Sequence, residues 1–180
     1  MMRHTVNEEI SLRTIEQKDA EIIFQIIDES RTYLRDWLGW VDGTKTLADS
    51  EAFVEGCLGR EKDEKSLTAV IVSQEKVVGI AGFNEINHSN KTAYIGYWLG
   101  ESYQGNGIMT KVARALTDYA FQQLDLNKVE IRVAVENMKS RSIPEKLGFK
   151  EEGCIRQAEW LYDHYVDLIV YGMLASEWRE

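Results

Sequence analysis

The sequence predicts an α/β fold: a sandwich of mixed strand direction with helices packed on its sheet. Three observations point there. Apolar residues recur at helical spacing in three long segments and at strand spacing in several others. Three strand-like stretches follow one another across short polar breaks, the pattern of an antiparallel meander. The resulting order, βαα-βββ-α-β-α-ββ, does not alternate strand and helix as a doubly wound parallel sheet does.

Each element has its own signal. Ser11 to Thr14 reads as a first strand, and Glu16 to Asp28 as a helix whose Ile22, Ile23, Ile26 and Ile27 pair at i, i+4. Thr46 to Arg60 is a second helix with Phe53, Val54, Cys57 and Leu58 on one face; Thr46 or Asp49 can cap it. Thr68 to Ser73, Val77 to Asn84 and Thr92 to Leu99 are the meander, with turns at Gln74 to Lys76 and Asn87 to Lys91. Gly107 to Leu126 returns to helical spacing through Ile108, Val112, Ala115, Leu116 and Tyr119. Lys128 to Val135 then alternates cleanly, with Val129, Ile131, Val133 and Val135 facing one way. A short helix up to Lys146 stops at Gly148, and strands at Cys154 to Leu161 and Tyr165 to Met173 end the chain.

Composition narrows the function classes. The chain has 180 residues, 21 Lys and Arg against 30 Asp and Glu, a formal charge of −9 and 44% apolar residues. A chain this long removes about 70% of its unfolded surface from water and needs no metal or disulfide to hold a core. Cys57 and Cys154 make no disulfide framework, and no Cys/His spacing suggests zinc. With no repeat, linker or low-complexity tract, one domain over residues 1–180 is expected. No apolar run is long enough to serve as a signal peptide or membrane span, so a cytoplasmic setting with no membrane partner is expected. Without a basic cluster, direct nucleic-acid binding is not expected, and the acidic balance would favour cationic small molecules or basic peptides.

The most informative segment is Gln104-Gly105-Asn106-Gly107-Ile108-Met109-Thr110, between a strand ending at Leu99 and the long helix. Two glycines let successive amides point one way, and a helix N-terminus presents unpaired N–H groups and the positive end of its dipole. Such a turn binds a phosphate or pyrophosphate; a glycine turn can also serve only to reverse the chain. Neither nucleotide motif fits: the third glycine of G-x-G-x-x-G is replaced by Thr110, and no Gly-Lys-Ser/Thr exists.

This segment resembles the Q/R-x-x-G-x-G/A pyrophosphate loop of the GNAT acetyltransferases, with Met109 at the final Gly/Ala position. Asn137 to Ser140 and Lys146-Leu147-Gly148-Phe149 resemble that family's N-x-x-S and K-L-G-F segments downstream. Glu152 to Glu159, together with Tyr33 to Leu38, resembles the ribosomal-protein N-terminal acetyltransferases, the RimJ/RimL-like branch. The resemblance implies a GNAT-like, mostly antiparallel central sheet with helices on both faces, in which two parallel strands splay to form an acetyl-CoA cleft. Those strands would be Ala93 to Leu99 and Lys128 to Val135.

Further roles follow from the resemblance. Backbone groups of Tyr97, Trp98 and Leu99 would take the pantetheine arm, the loop from Gln104 to Thr110 the pyrophosphate, and Asn137 and Ser140 further contacts to acetyl-CoA. Arg141 and Lys146 are either partners of the ribose phosphate or solvated charges. Glu159 matches the branch's proposed base, or is a solvated strand carboxylate. The family tyrosine seven residues after the asparagine is replaced by Pro144, which leaves Ser140 either as proton donor or as a helix cap. Trp37 and Tyr33, with Trp40, would wall the acceptor pocket or fill core. Cys154 reads as a small core residue more readily than as a nucleophile.

Three functions are compatible with these residues. The first is acetyl transfer from acetyl-CoA to the N-terminal α-amine of a ribosomal protein. The second is transfer to a small amine such as a polyamine, an amino acid or a drug; the third is an acyl-CoA-binding module without chemistry. Nothing calls for a metal, and family analogy suggests a homodimer or higher homo-oligomer.

Overall fold

The computed structural model describes residues 3–179. Its eight strands form one sheet. In chain order these are β1 (Arg3–Thr5), β2 (Ile10–Thr14), β3 (Leu67–Ser73), β4 (Lys76–Asn87), β5 (Thr92–Leu99), β6 (Lys128–Ala134), β7 (Lys150–Leu161) and β8 (His164–Leu174). The spatial order is β1-β2-β3-β4-β5-β6-β8-β7, and every neighbouring pair is antiparallel except β5 with β6. Helices α1 (Ala20–Glu29), α2 (Arg31–Arg35), α3 (Leu47–Lys62), α4 (Ile108–Gln122) and α5 (Met138–Lys146) complete the fold.

The expected βαα-βββ-α-β-α-ββ order is present, with β1 and α2 added. Neither announced itself. β1 has three residues and is defined by its pairing with β2, whereas α2 has five, too few to establish a periodicity. β7 begins at Lys150, four residues before the expected Cys154, because β8 pairs with it from Gly172 onward. It is also the sheet edge and exposed from Lys150 to Trp160, so Cys154 is an exposed thiol rather than the expected core residue.

Two apolar clusters fill the space on either side of the sheet. One joins Leu12, Ala69, Phe83, Ile95, Val129, Ile131 and Tyr171 to Val112 and Leu116 of α4. The other joins Val70 and Ile80 to Ile23 and Ile27 of α1 and Val54 and Cys57 of α3. α3 starts in a capping box: the Thr46 side chain accepts from the Asp49 amide, and Asp49 accepts from the Thr46 N–H at 2.8 Å. Phe53, expected on the buried face, is 42% exposed, because α3 meets the sheet through Ser50, Val54 and Cys57.

One buried charge ties β2 to the start of α1. The Asp19 carboxylate takes two hydrogen bonds of 2.7 Å from Arg13 and one of 2.8 Å from the Glu16 amide, and the residue is 3% exposed. Burial pushes the carboxyl pKa up, but these partners outweigh it and hold it below its ordinary 3.8. This stabilisation is therefore complete above the ordinary value and is lost as pH falls through the lowered one. Asp19→Asn is expected to destabilise the fold by about 3 kcal/mol at neutral pH, with a smaller difference from wild type in acid; denaturant unfolding at pH 7 and pH 3 checks both.

Candidate active site

β5 and β6 pair only from Thr92 with Lys128 to Ile95 with Ile131. Beyond Ile95, β5 stays on β4 up to the pair Gly79 with Leu99, and β6 stays on β8 up to Ala134 with Leu168. The two parallel strands therefore separate, and Gly96 to Leu99 border the gap. The Gly100 N–H bonds Val78 O at 2.9 Å, and Lys91 O accepts from the Asn127 and Lys128 amides. By strand alternation, Tyr97 and Leu99 turn their backbone groups into the gap, while those of Trp98 face β4. Trp98 thus offers its side chain, not the backbone pairing expected of it.

A cavity of about 630 Å³ opens on this gap. Gly105 and Gly107 adopt φ of +78° and +69°, the left-handed conformation glycine tolerates best, and bring the chain into α4. No side chain caps α4. Ile108, Met109 and Thr110, whose amides stand in the first turn that a helix leaves unpaired, line the cavity. Ile108 and Met109 bury their side chains in the core, so the methionine at the loop's last position meets the cavity chiefly as backbone. Lys139 and Lys146 add positive charge to the same wall. An unpaired helix terminus, two lysines and a free strand edge fit the diphosphate and amide-bearing arm of acetyl-CoA.

The structure sorts the remaining predicted residues. Gln104 lines the cavity, whereas Asn106 is exposed and outside the lining, its side chain turned back to Tyr103 O at 3.5 Å. Trp37 and Tyr33 line this cavity as well. Asn137, not Ser140, caps α5: its Oδ1 accepts from the Ser140 N–H at 3.1 Å. Arg141 is committed to Tyr171 and Val135 O.

A second cavity, of about 500 Å³, lies between β5 and α3. Leu38, Tyr97 and Trp98 line both cavities. Trp40 stands 6.0 Å from Trp98 by ring centroid and lines the second cavity with Phe53. The loop that carries Leu38 and Trp40 is fastened to the far end of the chain, since Tyr162 donates to Leu38 O at 2.6 Å. Asn84 is the extra residue of a bulge in β4 and lies against Gly96, where a Cβ would come within 2.2 Å of its amide nitrogen.

The Tyr97 hydroxyl and Ser140 Oγ are 3.3 Å apart, and burial pushes the Tyr97 phenol well above its ordinary pKa. Glu159 lines neither cavity. It sits where β7 resumes pairing, opposite Val166, after a bulge. Its side chain is open to solvent, but the protein bulk around it raises its pKa above 4.5, and its charge reaches Tyr94, two residues before Gly96 on the same face of β5. The Tyr97 hydroxyl, Lys139 and the second cavity had no sequence signal beyond residue type, because only the splay of β5 from β6 brings them together.

Residues 9–150 match the family described as acetyltransferase (GNAT) domain. The chain is 34% identical over 176 residues to the putative ribosomal N-acetyltransferase YdaF of Bacillus subtilis, covering 97% of this chain and 96% of that protein. It is 31% identical over 169 residues to the ribosomal-protein-serine acetyltransferase of Escherichia coli, covering 94% of each. Among solved structures, RimL, a ribosomal L7/L12 alpha-N-protein acetyltransferase in complex with coenzyme A, superposes with a TM-score of 0.93 at 28% identity, over 96% of this chain and 98% of that one.

Proposed function

The chain belongs to the GNAT acetyltransferase family and is an acetyl-CoA-dependent N-acetyltransferase, and from that premise we propose that its acceptor is the N-terminal α-amine of a ribosomal protein. The observation that carries this reading is the second cavity. It meets the first cavity at Tyr97 and Trp98, and no Asp or Glu among the described residues lines it. A polyamine carries several ammonium groups that a desolvating cavity must pair with carboxylates; a peptide N-terminus brings one amine on an otherwise neutral backbone. The acidic net charge is a property of the surface and does not extend into this cavity. Both curated relatives described above bear names that place their acceptors on the ribosome.

Acetyl-CoA supplies an activated acetyl thioester. The glycine-turn amides, the α4 dipole, Lys139 and Lys146 hold its phosphates, and the free backbone groups of Tyr97 and Leu99 hold its arm. An N–H in the gap polarises the carbonyl. As the amine nitrogen bonds the acetyl carbon and the carbon–sulfur bond breaks, the amine proton passes through water to Glu159 and the Tyr97 hydroxyl protonates the departing sulfur. Ser140 accepts from or donates to Tyr97 and so positions it. An α-amine with pKa near 8 is about a tenth neutral at pH 7, so a modest base working through water suffices.

A mass-shift assay with acetyl-CoA and a pool of ribosomal-protein N-terminal peptides, internal-lysine peptides and polyamines tests the acceptor. Acetylation is expected on peptide α-amines. Product on polyamines alone would overturn the reading, and acetyl-CoA binding without product on any acceptor would favour a module without chemistry.

A further inference from the structure

The second cavity contains two buried hydroxyls that the proposed chemistry does not use. Ser50 is 1% exposed and Ser66 5%, both line the cavity, and neither Oγ has a hydrogen-bond partner among the described residues. Buried polar atoms in folded proteins are almost always paired, because an unmade hydrogen bond carries a desolvation penalty. Two orphans on one cavity point to a ligand that completes them.

The geometry of α3 gives that ligand its shape. Ser50, Phe53, Cys57 and Arg60 line the cavity at i, i+3, i+7 and i+10, so they form one stripe about 15 Å long. Ser50 opens this stripe, and Ser66 lies in the turn that joins the Arg60 end of α3 to β3, so the stripe is read as one side of a groove. An extended chain advances about 3.3 Å per residue, so the groove has the length of about four residues. Among the described residues that line it, Arg60 is the only Lys, Arg, Asp or Glu.

Building on acetyl transfer to a peptide N-terminus, we propose that Ser50 and Ser66 are the specificity-determining residues of this groove: they hydrogen-bond neutral polar groups within the first four residues of the acceptor peptide. Arg60 makes the same groove unfavourable for a lysine or arginine in that stretch. Selection thus rests on hydroxyl and amide groups rather than on charge.

The test compares kcat/KM for pairs of tetrapeptides that differ by Ser against Ala or Thr against Val at each position, with spermidine and a lysine-containing peptide alongside. Wild type is expected to prefer a hydroxyl-bearing member by about tenfold at one or more positions. Ser50→Ala and Ser66→Ala are each expected to shrink the preference at one position to about twofold or less, with Ser50→Thr retaining it. A purely structural serine would lower both members of a pair alike. Arg60→Gln is expected to raise kcat/KM for the lysine-containing peptide by several-fold. Peptide acetylation with preferences unchanged in both alanine variants would overturn this inference alone; acetylation of spermidine and no peptide would overturn it together with the acceptor reading.

Discussion

Tyr97→Phe is expected to lower kcat by about 10²-fold while acetyl-CoA affinity stays within about threefold. The side chain belongs to the strand that borders both cavities, and its hydroxyl meets Ser140 Oγ at 3.3 Å. The phenol is protonated throughout the neutral range, as a phenol of ordinary pKa already is, and burial favours that form further. Pro144, where the family resemblance implies a tyrosine, has no proton to give, so a donor would come from another element. Ser140→Ala is expected to lower kcat by about tenfold or less, since it removes only the group that positions Tyr97. Loss of the phenol also leaves Ser140 unpaired, at about 1 kcal/mol of stability. Single-turnover acetylation together with calorimetric titration of acetyl-CoA separates the two effects. An unchanged rate in Tyr97→Phe would mean that the thiolate, with a thiol pKa near 8.5, departs without help.

Glu159→Gln is expected to lower kcat/KM by about 10²-fold near pH 7, and the deficit should narrow as pH rises. Above the α-amine pKa near 8 solvent already deprotonates the acceptor, so the part of the deficit that comes from taking that proton should shrink, while the part from accepting the proton as the amide bond forms remains. The wild-type acid limb belongs above 4.5, because surrounding protein disfavours the Glu159 carboxylate. Activity in wild type rises as pH increases through that raised pKa, and the variant loses this limb. A solvated carboxylate with no part in the reaction would give a variant with the wild-type profile. A carboxylate that only supports the β7 bulge would give the same deficit at every pH.

The helices and strands with the strongest periodicity were legible from sequence because each carries its signal locally. Ile23, Ile26 and Ile27 repeat over α1, and Val129, Ile131 and Val133 over β6. The glycine turn was legible for a related reason: φ values of +78° and +69° demand a residue without a Cβ wherever the turn stands in space. The roles of the site residues were less legible. Ser140 and Asn137 are neighbours in sequence, and only the start of α5 decides which of them caps it. Trp37 and Trp40 lie three residues apart, yet they face different cavities.

The sequence by itself determined that this chain folds as a mixed α/β protein with a glycine turn ahead of α4, because hydrophobic period and glycine placement are properties of short segments. Only the tertiary structure decided where β5 leaves β6, that Tyr97 lines two cavities, and that Ser50 and Ser66 line the second of them. Those facts depend on pairing between segments far apart in the chain. A side chain's neighbours across such pairings, unlike its own conformational preferences, are not written in the residues beside it.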